Sequence, residues 1–287
     1  MLLGLAWVGA YVLLVGVGSF LEQPLAHRLD AFQLDATLRL GALVLAIAAL
    51  LVVRGPAIPG LWPILAGFGI GLVSGTGSVC YCLALTRLPS WLAASIANGY
   101  LAVTVILSVV VLGEALTWFL AAGLALTVAG VVALSWQGST AATGAGTARS
   151  LAGAWPLGAY IVLIGTSTFL EKPALRHLGA LQLNALTALG MAVVGVAAVG
   201  VGHRRVPSGS AALASAWIGV LFGLGAVGYY LGLARLPVSV AATLANTAVL
   251  VTVALAVLFR HRTVSGRQVV GAVTTLAGVC LLTIPHP

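Results

Sequence analysis

The sequence predicts an all-α integral membrane protein, with ten transmembrane helices arranged as two inverted five-helix repeats. Three observations predict it. The 287 residues are 61% hydrophobic and only 6% charged, with a mean hydropathy of +1.16, whereas a soluble domain carries roughly a quarter charged residues. The apolar residues gather into ten runs, most of them close to the ~20 residues that cross a ~30 Å hydrocarbon core. The second half of the chain also echoes the first at an offset of 148 or 149 positions.

The composition bounds the function before any motif is considered. So few charges cannot cover a soluble domain. The net charge of +8 comes from thirteen Lys and Arg, twelve of them Arg. Most lie between apolar runs, where they set membrane topology, so nucleic acid is not an expected partner.

The spans follow in order. They are 2–21, 31–53, 61–85, 90–112, 118–136, 155–170, 179–201, 211–234, 238–259 and 268–284. Turn chemistry separates them: "RGPAIPG", "RLPS", "GEAL", "HRRVPSGS", "RLPV" and "RHRTVSGR". Strands of a membrane barrel would be shorter, near ten residues, and would alternate. The first run lacks a basic leader and a cleavage site, so it reads as a retained span. "QGSTAATGAGTARSLAG" is small, polar and flexible. It predicts a first repeat over 1–136, a linker over 137–153 and a second, inverted repeat over 154–287. Cys80, Cys82 and Cys280 lie inside apolar runs without a CxxC spacing. They read as small buried groups, with no metal site expected.

The repeat is dense. "FLEQPLAHRL" from Phe20 answers "FLEKPALRHL" from Phe169, and "TRLPSWLAASIAN" from Thr86 answers "ARLPVSVAATLAN" from Ala234. Gly67, Gly71 and Gly75 answer Ser215, Gly219 and Gly223. These small-xxx-small rows predict close helix packing in lipid. Each half crosses the membrane an odd number of times. The second must therefore sit upside down relative to the first, the plan of many secondary transporters. Rocking one half against the other would open a central cavity to each side in turn.

The first-helix endings "SFLEQP" and "STFLEKP", with "LTRLPSWLAASIAN…VVVLGEALTW" and its copy "LARLPVSVAATLAN…LAVLF", carry a resemblance over nearly the whole chain. In these features the sequence resembles the drug/metabolite transporter superfamily, in its ten-helix form built from two EamA repeats. The resemblance implies an exporter or exchanger of small organic solutes. Two departures stand out. The Gly-Glu pair expected after the fourth and ninth spans is present as Gly113-Glu114 but replaced by His261-Arg262. Where the family often bends these spans with proline, the chain has Tyr100-Leu101 and Ala248-Val249.

Matched polar groups deep in the spans mark the expected substrate cavity: Tyr11 with Tyr160, Tyr81 with Tyr229, and Asn98 with Asn246. Polar groups at such depth face protein or a watery cavity. Interhelical hydrogen bonding is the alternative for any single one. Glu22 and Glu171 are expected at helix ends, before Pro24 and Pro173, on opposite membrane faces about 30 Å apart in depth. They would serve two separate mouths, as gates or coupling groups, or simply fix the span ends, with Lys172 pairing locally. Asp35 and Arg39 are four apart on one helix face and can pair. Their counterparts are Asn184 and Ala188, so the pair either tunes one mouth or is an internal salt bridge.

The expectation is a secondary-active transporter of a small organic metabolite or drug, working by alternating access. The alternatives are a proton-coupled antiporter of cations using Glu22 or Glu171, and a non-transporting anchor or sensor on the same scaffold. No catalytic constellation is found, and no cofactor is expected. The expected partners are a small-molecule substrate, the lipid bilayer and protons as coupling ion, with the protein a monomer or homodimer in a bacterial plasma membrane. Positive-inside counting favours both termini outside, whereas the resemblance implies both inside.

Overall fold

The computed structural model describes residues 1–53, 60–88, 90–115, 117–135, 147–202, 207, 209–260 and 265–283. Among the described residues every regular element is helical. The first repeat comprises α1 (Leu2–Glu22), α2 (Ala31–Val52), α3 (Leu61–Leu85), α4 (Ser90–Ala97), α5 (Tyr100–Leu112) and α6 (Trp118–Ser135). The second comprises α7 (Thr147–Ala174), α8 (Ala180–Val201), α9 (Ser210–Leu233), α10 (Val238–Ala245), α11 (Ala248–Arg260) and α12 (Gly266–Thr283). Paired as α4–α5 and α10–α11, these form ten spans, five in each half. Among the described residues six stretches, one of them α10 with α11, are long and apolar enough to cross a membrane, and shorter apolar helices supply further spans.

Local chemistry sets the boundaries. Asp30 caps α2: its Oδ1 accepts from Phe32 N at 2.9 Å and Gln33 N at 3.0 Å, while Gln33 Oε1 accepts from Asp30 N. This reciprocal arrangement satisfies donors that a helix start otherwise leaves open. The second repeat keeps half of it, with Gln182 Oε1 accepting from Gly179 N at 2.8 Å. Gly113 ends α5 with φ of 69°, a left-handed conformation that glycine adopts without steric penalty.

Two expectations are corrected here, after one observation on the linker that the sequence predicts over 137–153. Residues 137–146 lie outside the described residues, and α7 already begins at Thr147. Arg, Leu and Ala in this stretch are good helix formers and extend the span upstream. The fourth and ninth spans are broken, although neither carries a proline at the break. After Ala97 the chain closes i,i+3 bonds, Gly99 N to Ile96 O and Leu101 N to Asn98 O. The Asn98 side-chain amide donates to Ala94 O at 2.8 Å, taking a carbonyl that the helix would otherwise serve. Cys80 and Cys82 are buried as expected, but Cys280 is exposed on the outside of the bundle.

Packing runs between the repeats. α1 lies against α9 and α11, and correspondingly α7 lies against α3 and α5. α2 packs on α9 as α3 packs on α8, and α6 packs on α12. Exchanging the halves reproduces this pattern, as a pseudo-twofold axis requires. Gly71 meets the backbone of Thr187, and its counterpart Gly219 meets the backbone of Leu38. A Cβ at either position would collide with a carbonyl group of the facing helix. These contacts are therefore backbone on backbone, the approach that small residues permit in lipid.

Candidate functional site

A cavity of about 530 Å³ lies between the repeats, with walls from α1, α2, α3, α5, α7, α8, α9 and α10. That is within the usual size for small-molecule sites, roughly 300–1,000 Å³. All six tyrosines of the chain line it: Tyr11, Tyr81, Tyr100, Tyr160, Tyr229 and Tyr230. They are arranged by the pseudo-symmetry. Tyr11 and Tyr229 rings lie 5.4 Å apart at 48°, and their counterparts Tyr160 and Tyr81 lie 5.2 Å apart at 41°. Each pair joins the first helix of one repeat to the third span of the other. Tyr100 extends one pair, edge-on to Tyr160 at 6.5 Å, and Tyr230 extends the other, edge-on to Tyr229 at 5.5 Å. Tilted and edge-to-face arrangements place positive ring edges near negative faces and are favourable.

The charged groups of the wall are Glu22, Asp35, Arg39 and Glu171. Arg39 Nε donates to Asp35 Oδ1 at 3.2 Å, and its Nη2 donates to Ser78 Oγ at 2.9 Å. Tyr230 donates from its hydroxyl to Glu171 Oε1 at 2.9 Å, and the same hydroxyl sits 2.9 Å from Thr187 Oγ1. Glu171 is only 8% exposed. Its other oxygen, Oε2, is buried and has no hydrogen-bond partner in the protein.

The two glutamates, expected at two mouths, belong to one wall system. Both line this one cavity. The reason is helical continuity: α7 runs through Pro173 to Ala174, and a 3-10 turn, Leu25–His27, continues beyond α1. Glu171 is thus carried inside α7, while Glu22 is the last residue of α1 and the chain turns only after it. Lys172 does not pair with Glu171. Its Nζ donates to Leu233 O at 2.6 Å and Leu236 O at 2.7 Å, capping the end of α9. Glu114 holds the next turn. Its Oε1 accepts from Val238 N at 2.7 Å, and its Oε2 accepts from Ser239 Oγ at 2.6 Å and Ser239 N at 3.3 Å. An anion at the start of α10 is where the helix dipole favours one.

The two asparagines at the helix breaks meet. Asn246 Nδ2 donates to Asn98 Oδ1 at 2.8 Å. Asn246 lines the cavity, while Asn98 is buried at 7% exposure and stands behind it. Irregular backbone at membrane depth is tolerated where it is buried in protein or lines a cavity. Sequence reasoning missed Tyr100, Tyr230 and Ser78 as wall residues. Their counterparts are Ala248, Cys82 and Ala226, so a search for matched polar pairs passes over them. The signal that finds Tyr100 and Tyr230 is the rarity of tyrosine itself.

Comparison with known proteins agrees with this architecture. The family model for EamA-like transporters matches residues 2–136 and again 154–284. One solved crystal structure superposes with a TM-score of 0.81 over 98% of both chains at 22% identity, a likeness of fold. Curated protein sequences give no match. Two family matches, one on each half of a duplicated helical bundle, identify the chain as a multi-pass membrane protein belonging to the EamA-like transporter family.

Proposed function

We propose that the protein is a secondary-active carrier of a small organic solute, working by alternating access. The observation that carries this reading is the single cavity shared by both repeats and lined by pseudo-symmetric tyrosine pairs. Duplicated walls related by a twofold axis in the membrane plane give two equivalent ways to close around one central site. Tyr11, Tyr81, Tyr160, Tyr229 and Asn246 contact the solute, and Asn98 fixes the orientation of Asn246. The carboxylates Glu22 and Glu171 supply the charge of the wall, and Asp35 with Arg39 shapes it beside α3.

The test works whatever the solute is. Ala226 lines the cavity. An Ala226→Cys variant, in a background lacking Cys80, Cys82 and Cys280, is exposed to a membrane-impermeant thiol reagent in right-side-out and in inverted vesicles. Alternating access expects labelling in both preparations. Labelling in only one of them would sink the carrier reading and favour an anchor or sensor.

Proton coupling is a second reading, favoured by two cavity carboxylates that pair with no Lys or Arg among the described residues. In proteoliposomes, Glu171→Gln is then expected to remove the response of solute movement to an imposed pH gradient, read as the ratio of movement with and without the gradient so that any loss of solute affinity cancels. An unchanged ratio would remove Glu171 from the coupling.

A further inference from the structure

The chemistry of the wall narrows the solute. Three carboxylates face one guanidinium across the cavity. Arg39 is held by Asp35 and Ser78, so the charge of that pair is balanced internally. Glu22 and Glu171 remain. Glu171 is the more informative: it is more than nine-tenths buried, one oxygen takes the Tyr230 hydroxyl, and the other makes no well-formed hydrogen bond although the Tyr229 hydroxyl stands near the carboxyl group. Buried polar atoms are ordinarily satisfied, and an orphaned one asks for an explanation. Around this carboxylate stand the rings of Tyr11, Tyr229 and Tyr230. Aromatic faces attract cations, most strongly where water is excluded. They also accept the apolar body of an organic molecule.

We propose that the cavity binds a protonated organic amine with an aromatic or apolar body, its ammonium N–H donating to the Glu171 carboxylate between the tyrosine rings once that side chain turns to present Oε2 to the cavity. A neutral solute answers the rings but brings no cation to the two carboxyl groups that lack a basic partner among the described residues. An anion finds one guanidinium, already held by Asp35 and Ser78. A zwitterion would need Arg39 to turn from Asp35 toward its carboxylate. This inference rests on the carrier reading only in calling the ligand a transported one; the binding itself is separable.

The experiment uses the full chain purified in detergent and calorimetric titration with three probes of one body: phenethylamine, 2-phenylethanol and phenylalanine. Phenethylamine is expected to bind at least about tenfold tighter than 2-phenylethanol, the usual scale for a hydrogen bond to a charged group. Glu171→Gln is expected to erase that preference while eluting as the same monodisperse species. Equal affinity for amine and alcohol, tighter binding of phenylalanine, or no amine binding below about 1 mM would each overturn the proposal. The three-probe series on the unaltered protein stands by itself if Glu171→Gln fails to fold. Amine binding without movement in proteoliposomes would sink the carrier reading and leave this proposal intact. Movement of another solute without amine binding would do the reverse.

Discussion

Two corresponding walls of the cavity differ in chemistry, most plainly on their second and third spans. The first repeat has Asp35, Arg39, Ser78 and Cys82 where the second has Asn184, Ala188, Ala226 and Tyr230. On the first wall, Arg39 bridges Asp35 and Ser78, and Cys82 turns away to Ala31 O. On the second wall no guanidinium is present, and Glu171 relies on Tyr230. The scaffold is nearly symmetric while its polar lining is not. Backbone positions are fixed by helix packing, which the duplication preserved. Side chains facing the cavity carry little of that packing and were free to diverge. The two walls therefore share a backbone frame but differ in side-chain size and chemistry.

The comparison predicts that packing mutants behave alike in the two repeats and lining mutants do not. The largest effect is expected at the helix contacts. Gly71→Val and Gly219→Val each place branched carbon against a facing backbone and should destabilise by about 3 kcal/mol or more, the upper range for overpacking. Thermal unfolding in detergent reads this. A large effect in one repeat only would break the symmetry of the scaffold.

Next in size is the clamp on the turn before α10. Lys172→Met leaves the carbonyls of Leu233 and Leu236 without their charged donor, and about 2 kcal/mol of stability is expected to go. The first repeat carries Gln23 at the matching position, so Lys172→Gln asks how much of this depends on charge. Full recovery by glutamine would show that the two repeats are equivalent here after all.

The Asp35–Arg39 pair is smaller still. These side chains are 15% and 31% exposed, so the coupling in a double-mutant cycle of Asp35→Asn and Arg39→Met should be about 1 kcal/mol or less. A coupling several times larger would mean that the pair is a structural element and not a feature of the lining. The smallest effect on folding is expected at the helix breaks. Asn98→Ala and Asn246→Ala should each cost about 0.6 kcal/mol, the average for such bonds in membranes. Asn246→Ala should weaken solute binding more, because Asn246 faces the cavity. Unfolding of either variant would make the asparagines packing groups.

Much of this was legible in the chain. The span positions followed from the length of apolar runs, and the duplication followed from matched phrases such as those holding Glu22 and Glu171. Asp35 and Arg39 could be joined because helix periodicity puts positions four apart on one face. The rest depends on where helices lie relative to one another, which no local pattern encodes. Two glutamates near the ends of inverted helices looked as though they must face opposite solutions, yet α1 and α7 carry both to one cavity. The break at Asn98 was hidden because asparagine, unlike proline, does not forbid a helix. Lys172 looked like a local partner of Glu171, but the nearest open acceptors were carbonyls on another helix. Tyr230 had no polar counterpart and so fell outside a search built on matching.

The packing pattern has one last consequence. The tight helix seams described above join α2 to α9, α3 to α8 and α6 to α12, each pairing one helix from either half. Neither half therefore owns an interior. A single five-span half, made alone, would leave its glycine rows facing lipid, where nothing of the right shape can fill them. It could close those grooves only against a copy of itself inserted the other way up. The unit that folds is thus larger than the unit that repeats.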